Sequence, residues 1–282
     1  MGAEASNFLQ GLLTNDMKLL DQQPALYAGV LTPQGKVLCD VFAVTIPGGY
    51  CLELARDRVQ ALVDRLKIYN LRSKVEIADA SANYTVAAVW GGPYAPRGSG
   101  TPPVFFADPR LPELGYRELA TLDSDWALGG DDCDSATQDE YHAHRISLGV
   151  PEGGRDYSFG DTFPHEAMFD QLNGVSFKKG CYVGQESVSR MQNRGTARKR
   201  IVPLVADAAL PESGTPITAA GVEIGKLGST AGTRGLAQVR IDRVAEFKEK
   251  GEALHAGEAA VSVELPPWAT FTIEAKPAGS AA

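Results

Sequence analysis

The 282-residue chain is organised around NGVSFKKGCYVGQESVSRMQNRGTARKR, residues 173–200. At its centre a lone cysteine, Cys181, follows Lys178 and Lys179 and precedes a helix that we predict to begin after Gly184. Nearby cations and the positive end of a helix dipole both stabilise a thiolate. Cys181 is therefore the best candidate in the chain for a reactive or ligand-forming sulfur. The alternative is that it is one more small, buried apolar residue.

The composition is that of an ordinary globular protein. Hydrophobic residues make up 44% of the chain and charged residues 22%, and the length predicts about two domains. The 27 basic and 35 acidic residues give a net charge of -8. This charge argues against a protein whose whole surface binds nucleic acid, although a local basic patch remains compatible with it.

Targeting signals and metal motifs are not found in the sequence. No run approaches the roughly 20 apolar residues of a membrane helix, and the N-terminus is not a charged leader followed by an apolar block. We therefore expect a cytoplasmic protein with no membrane partner. No CxxC pair occurs, so neither a disulfide framework nor a self-contained zinc or cluster-binding motif is predicted. The scattered cysteines are Cys39, Cys51, Cys133 and Cys181.

The hydrophobic pattern predicts an α+β protein that ends in a barrel. Residues 3–14 have helical periodicity, and residues 25–32 and 36–46 flank a Pro-Gln-Gly turn typical of a β-hairpin. A third strand, a helix and a strand at residues 74–77 follow in the prediction. Beyond residue 200, short apolar runs bounded by glycine predict a small β-barrel.

Several enzyme classes lose their usual signals. The sequence contains no Walker A loop, no GxGxxG at a strand-to-helix turn, no HExxH and no GxSxG. Nucleotide hydrolysis, dehydrogenation, zinc proteolysis and esterase chemistry are therefore not indicated.

The octapeptide KGCYVGQE resembles the signature of the YgfZ branch of the folate-binding YgfZ/GcvT family. Other segments follow the order of the same family and extend the resemblance over nearly the whole chain: FLQGLLTND (8–16), PQGKVLCD (33–40), YNLRSKVEI (69–77), DPRLPELGYR (108–117) and RISLGVPEGGRD (145–156). The residues of the signature are Lys179, Gly180, Cys181, Tyr182, Gly184, Gln185 and Glu186.

The resemblance implies two interleaved α+β, ferredoxin-like domains and a C-terminal β-barrel, arranged around a central opening. It places the two folate-binding domains in residues 1–200, with a division near residues 80–90. The barrel is expected in residues 201–275 and a flexible tail in residues 276–282.

The implied function is that of a tetrahydrofolate-binding accessory protein. Members of the YgfZ branch support the assembly or repair of iron-sulfur clusters in enzymes such as the radical-SAM tRNA methylthiotransferase, and thereby tRNA modification. In this chain Cys181 would be the key residue, and the cluster would belong to a partner. The alternative is a tetrahydrofolate-dependent aminomethyltransferase similar to the glycine-cleavage T-protein.

The T-protein resemblance also implies a folate site. Tyr27 and Asp40 fall where the T-protein has a folate-contacting tyrosine and its key aspartate. Such a carboxylate can orient the folate N10 amine and stabilise the positive charge that develops as N10 attacks. The alternatives are that Asp40 is a solvated residue at a strand end and that Tyr27 is a core tyrosine with a satisfied hydroxyl.

One position departs from the T-protein pattern. There, a carboxylate shortly after a Gly-aromatic pair binds the pterin donors, whereas Arg117 follows Gly115-Tyr116 here. A guanidinium cannot accept hydrogen bonds. The pterin would therefore dock differently, on Glu118 or Glu166, or the ligand is a different one. Cys39 also replaces the second of the paired aspartates.

A basic series follows the signature and could hold a folate polyglutamate tail, a phosphate or RNA. A third hypothesis, an RNA-interaction module, depends on this series. The alternative is a solvated helix face that pairs with the acidic residues 122–140. The basic residues are Arg190, Arg194, Arg198, Lys199 and Arg200.

Overall fold

A computed structural model describes residues 1–92, 104–122, 133–195 and 197–273 of the chain. The chain divides into two compact units, and each unit combines two separate stretches of sequence. The first unit contains residues 1–136 and 172–189, and the second contains residues 137–171 and 190–282. The predicted domain boundaries stay a prediction, and the predicted flexible tail lies outside the described residues.

In its described residues the first unit contains two three-stranded antiparallel sheets, helices α1 and α2, and the first half of α4 (Gln185–Arg194). The first sheet is a meander in the order β1-β2-β3, as the hairpin signals predicted, and the second has the order β4-β6-β5. The elements are α1 (Ala5–Gln10), β1 (Ala25–Leu31), β2 (Val37–Ile46), β3 (Gly49–Glu53), α2 (Val59–Tyr69), β4 (Tyr84–Val89), β5 (Val104–Ala107) and β6 (Tyr116–Thr121).

The register of the first sheet places three side chains in one row. Tyr27 of β1 pairs with Phe42 of β2, and Phe42 pairs in turn with Glu53 of β3. Asp40 lies two residues before Phe42 and pairs with Gly29, so it belongs to the same face of the sheet. The meander therefore brings an aromatic pair and two carboxylates to one surface.

The same face packs against the second sheet. Ala25 and Val44 form one buried cluster with Val104, Phe106 and Leu119 of β5 and β6. Side chains alternate along a strand, so Arg117 shares the face of Leu119 and points toward the first sheet. The core of the first unit thus ends in a polar region at Arg117.

Residues 74–77 do not form the predicted strand. Glu76 exchanges two backbone hydrogen bonds with Met1, at 2.8 and 3.0 Å, and the backbone N–H of Lys74 donates to the Glu4 carboxylate at 2.8 Å. These backbone groups are satisfied by residues of the N-terminal segment. The apolar pattern of residues 74–77 does not reveal that their backbone pairs with the N-terminal segment and not with a sheet.

The second unit contains a closed barrel of six strands in the order β10-β7-β12-β11-β8-β9. This finding confirms the predicted C-terminal barrel. Helix α4 contributes residues to both units. The elements are α3 (Gln138–Ser147), α4 (Gln185–Arg194), β7 (Lys199–Ala206), β8 (Pro216–Ala219), β9 (Val222–Ala231), β10 (Arg234–Arg240), α5 (Ile241–Glu249), β11 (Leu254–Ala256) and β12 (Ala259–Val263).

A buried ion pair attaches α3 to the barrel. The Arg145 guanidinium donates to the Asp156 carboxylate and to the Ser229 hydroxyl of β9, both at 2.7 Å. Asp156 also accepts the backbone N–H of Ser229 at 2.7 Å. The segment RISLGVPEGGRD thus has a structural role at both of its ends. Among the described residues, no helix has the length and apolar character needed to span a bilayer.

Candidate functional site

The four cysteines all lie in the described residues, and they differ in exposure. Cys39 is buried, Cys51 and Cys133 are half-buried, Cys181 is exposed, and none of the four is in a disulfide. Burial raises the pKa of Cys39 to about 12 and that of Cys51 to about 11, so both stay protonated at neutral pH. Cys181 is the most exposed of the four thiols.

Lys179 anchors the segment that carries Cys181. Its side chain is buried, and burial lowers the pKa of Lys179 to about 8. Three backbone carbonyls accept hydrogen bonds from its ammonium: Gln10 at 2.8 Å, Leu13 at 2.7 Å and Asn15 at 2.8 Å. An ammonium has three donors, and each has a partner here. Of the two lysines before the thiol, only Lys178 is exposed.

Backbone contacts continue this attachment on both sides of Lys179. Ser176 N–H donates to Thr14 O at 3.0 Å, and Val183 N–H donates to Gly11 O at 3.1 Å. The Thr14 hydroxyl donates to Gly174 O at 2.5 Å. The segments FLQGLLTND and KGCYVGQE, which are far apart in sequence, therefore form one local structure.

Gly184 fixes the same segment against the β1-β2 hairpin. Its φ is +81°, and a Cβ atom there would lie 2.5 Å from Thr32 O and 3.0 Å from the Gly35 Cα. The Ser187 hydroxyl donates to Gln34 O at 2.9 Å. Because both the conformation and the close approach require glycine, this position of the signature is structural.

The remaining signature residues separate into anchors and open positions. Tyr182 is buried, which raises its pKa to about 12, and the Lys179 Nζ lies 5.1 Å from its ring centroid. A Cβ at Gly180 would meet nothing within 4 Å. Gln185 and Glu186 form the first turn of α4, and Glu186 is exposed. The segment therefore presents an open Gly180-Cys181 pair on a fixed support.

A second candidate site lies on the row described above. The Tyr27 hydroxyl donates to the Asp40 carboxylate at 3.2 Å. Tyr27 is 2% exposed, and its ring lies 5.3 Å from that of Phe42, whereas Asp40 is half-buried. Tyr27 therefore orients the carboxylate and does not offer an open ring face to a ligand.

Arg117 forms an ion pair next to this carboxylate. Its guanidinium binds the Glu53 carboxylate with two hydrogen bonds and lies 4.3 Å from the Phe42 ring centroid. Glu118 alternates to the other face of β6, where burial raises its pKa. Glu166 accepts the Phe163 N–H at 2.9 Å and belongs to the second unit. Folate contacts by Tyr27, Asp40, Arg117 and Glu166 stay predictions.

The sequence analysis missed a second arginine beside the same rings. Arg110 binds Asp108 at 3.0 and 2.7 Å, and its guanidinium lies 4.9 Å from the Phe42 centroid and 5.7 Å from that of Tyr27. Burial would raise the pKa of Asp108, but Arg110 and Arg117 outweigh it and hold this pKa low. The Asp-Pro-Arg triplet at the start of DPRLPELGYR could have indicated this ion pair, because it places opposite charges two residues apart.

The basic series is only partly on the surface. Arg190, Arg194, Arg198 and Lys199 are exposed. Arg200 is buried and binds Asp170 with two hydrogen bonds of 2.8 Å, so its prediction as a surface contact is wrong. Residues 123–132 of the acidic stretch lie outside the described residues.

Metal coordination has no complete ligand set in this chain as far as the structure describes it. Among residues 1–92, 104–122, 133–195 and 197–273, no group of three or more His, Cys, Asp or Glu side chains could hold a metal ion. A metal site that includes Cys181 would therefore need further ligands from outside the described residues.

Comparison with solved structures and family models confirms the fold class. Residues 198–271 match the family model of the CAF17 C-terminal beta-barrel domain. The crystal structure of glycine cleavage system aminomethyltransferase T from Bartonella henselae is similar, with a TM-score of 0.73 and 17% identity. The likeness covers 95% of this chain and 82% of that one. It shows the α+β fold with a terminal barrel and nothing of the activity.

Sequence relatives show the family. The human iron-sulfur cluster assembly factor IBA57, mitochondrial, is 33% identical over 95% of this chain and 81% of its own length. The mouse protein of the same name is 34% identical over 86% and 75%. The Mycosarcoma maydis homologue is 37% identical over 72% of this chain. This chain spans 53% of that fungal relative, about half of its length.

These relatives correct two expectations. They are mitochondrial proteins, which overturns the cytoplasmic location that we predicted. They also differ from the YgfZ branch that the KGCYVGQE segment resembles, although both are related to the aminomethyltransferase fold. The chain belongs to the IBA57 family of iron-sulfur cluster assembly factors.

Proposed function

We propose that this chain supports the assembly of iron-sulfur clusters by supplying the Cys181 thiolate to a cluster that a partner protein also holds. The observation that carries the proposal is the exposure of this one thiol on a segment fixed by Lys179 and Gly184. A rigid support holds the sulfur at a defined place, which lowers the entropy cost of forming a metal-sulfur bond.

The partner is required by the number of ligands. Iron-sulfur clusters are usually held by four cysteine thiolates, and the described residues contain no group of three or more His, Cys, Asp or Glu side chains that could hold a metal ion. The open backbone at Gly180 leaves room for the partner to approach the sulfur. The clients that we propose are [4Fe-4S] enzymes, with the radical-SAM tRNA methylthiotransferase, and thus tRNA modification, as one of them.

Complementation tests this function directly. In a strain that lacks its own factor of this family, we expect the chain to restore the activity of [4Fe-4S] enzymes, because it would replace the missing assembly factor. The activity of a [4Fe-4S] dehydratase in cell extracts measures the effect, with a cluster-free dehydrogenase as the control. Correctly located, folded protein without any recovery of the dehydratase would refute the proposal.

We further propose that a reduced folate binds at the Tyr27-Asp40 face of the first unit. A tetrahydrofolate carries amine nitrogens, which suit the half-buried Asp40 carboxylate. Arg110 and Arg117 lie at this face but bind Asp108 and Glu53, so the Asp40 carboxylate supports the proposal. Aminomethyl transfer has no comparable support, because Arg117 is engaged with Glu53 where the T-protein has a pterin-binding acid.

Titration calorimetry with tetrahydrofolate tests this site. We expect Asp40→Asn to weaken binding about tenfold, because a hydrogen bond to a charged carboxylate contributes about 1.5 kcal/mol or more. The matched control is Asp64→Asn on α2, where an exposed carboxylate accepts a hydrogen bond from Gln60 at 2.8 Å. Equal affinities for the two variants, or no binding by the parent protein, would exclude folate from this face.

A further inference from the structure

Five cations gather where α4 ends and β7 begins in the second unit. We call this group, Arg190, Arg194, Arg198, Lys199 and Arg240, the basic cluster. The two elements meet at His165: its ring Nε2 lies 3.0 Å from Gln192 Oε1 of α4, and its carbonyl accepts a hydrogen bond of 3.0 Å from Arg200 of β7. The inner faces of α4 and β7 thus both contact His165, whereas Arg190 and Arg194 lie on the opposite face of α4 from Gln192, and Lys199 lies on the opposite face of β7 from Arg200.

Like charges oppose each other in this region. Lys199 of β7 and Arg240 of β10 are direct cross-strand partners, and the Ile241 N–H donates to Arg198 O at 2.9 Å. A pair of like charges at directly opposed positions destabilises a sheet. Asp242 offsets this repulsion at Arg240, and an anion bound beside Lys199 would offset it further.

The protein supplies little negative charge to this region. The Asp242 carboxylate binds Arg240 at 3.2 and 2.7 Å. Within the part of the chain that the structure describes, no carboxylate lies within 4.0 Å of a nitrogen of Arg190, Arg194, Arg198 or Lys199. The basic cluster thus has one carboxylate in direct contact among the described residues, Asp242, and Glu246 acts on Arg240 from a longer distance.

We propose that the basic cluster binds the phosphate backbone of a folded nucleic acid. Arg190, Arg194 and Arg198 each have a planar fork that matches a phosphate with two parallel hydrogen bonds, whereas the fork of Arg240 binds Asp242. No aromatic side chain is exposed in the described part of the second unit, so bases have no stacking platform there. This surface can therefore contact the backbone phosphates of a double-helical region.

The expected binding depends strongly on salt. Each phosphate contact releases condensed counterions, so four contacts predict a fall in affinity of about 100-fold between about 50 and about 200 mM salt. The net charge of -8 opposes long-range attraction, so binding depends on the local contacts.

Fluorescence anisotropy with a labelled RNA duplex of about 20 base pairs measures this binding. We expect Arg198→Glu/Lys199→Glu to weaken it at least about tenfold, because two phosphate contacts become repulsive. The matched control is Lys67→Glu/Arg72→Glu, which changes the same charge at exposed positions of the first unit and should leave the affinity unchanged.

Competitors distinguish the possible anions. Unlabelled duplex DNA should displace the RNA, which would support recognition of phosphate shared by both helices. Displacement by polyglutamate at an equal concentration of charges would overturn the phosphate assignment in favour of a carboxylate ligand. Absence of RNA binding at low salt, or equal losses in the two charge-reversed variants, would overturn the proposal itself.

Discussion

The Cys181→Ala variant should lose all support of [4Fe-4S] enzymes while it remains folded. Its sulfur is the exposed one among the four thiols, and the described residues contain no group of three or more His, Cys, Asp or Glu side chains that could hold a metal ion by themselves. Removing one of four ligands leaves a coordination position of the cluster open. The dehydratase activity of the complemented deletion strain should therefore fall to that of the strain without the protein.

Two measurements separate this effect from misfolding. An exposed substitution should change the free energy of unfolding by no more than about 0.5 kcal/mol, which urea denaturation followed by circular dichroism can show. Cys133→Ala, at a half-buried cysteine, is the matched control and should complement fully. Full complementation by Cys181→Ala would refute the proposed role of the thiol.

The Lys179→Met variant should lose about 3 to 5 kcal/mol of folding free energy. Methionine keeps the length and apolar contacts of the side chain but removes the ammonium, which leaves the carbonyls of Gln10, Leu13 and Asn15 without their donor. Each buried polar group that loses its partner costs about 1 to 3 kcal/mol. A urea titration followed by near-ultraviolet circular dichroism measures the loss.

Lys178→Met is the control for this substitution. The neighbouring lysine is exposed, so the same chemical change should shift the free energy of unfolding by no more than about 0.5 kcal/mol. A Lys179→Met protein as stable as this control would mean that the three carbonyls find other donors. In that case the buried ammonium would not be the support of the Cys181 segment.

Local patterns were sufficient to predict much of the fold. The Pro-Gln-Gly turn between two apolar runs predicts the β1-β2 hairpin, and short runs bounded by glycine predict the barrel. Helix α4 begins immediately after Gly184, as its spacing predicted. The exposure of Cys181 also agrees with its selection as the candidate thiol. In each case the signal lies within a few residues of the structure that it produces.

Partners far apart in sequence were not predictable in the same way. Arg117 pairs with Glu53 across 64 residues, and Lys179 reaches carbonyls more than 160 residues earlier. The sequence predicted that Lys179 is a cation that could act on the thiol. In the fold its ammonium instead donates hydrogen bonds to three backbone carbonyls. The chemistry of such residues depends on the acceptors that tertiary structure brings to them.

Residues 172–189 complete the first unit, although residues 137–171 of the second unit are synthesised before them. During translation the N-terminal strands and helices therefore cannot complete their packing until residues 172–189 leave the ribosome. Contacts of such long sequence separation slow folding and prolong the exposure of apolar surface. A nascent chain that stops before residue 172 should be a substrate for chaperones and proteases.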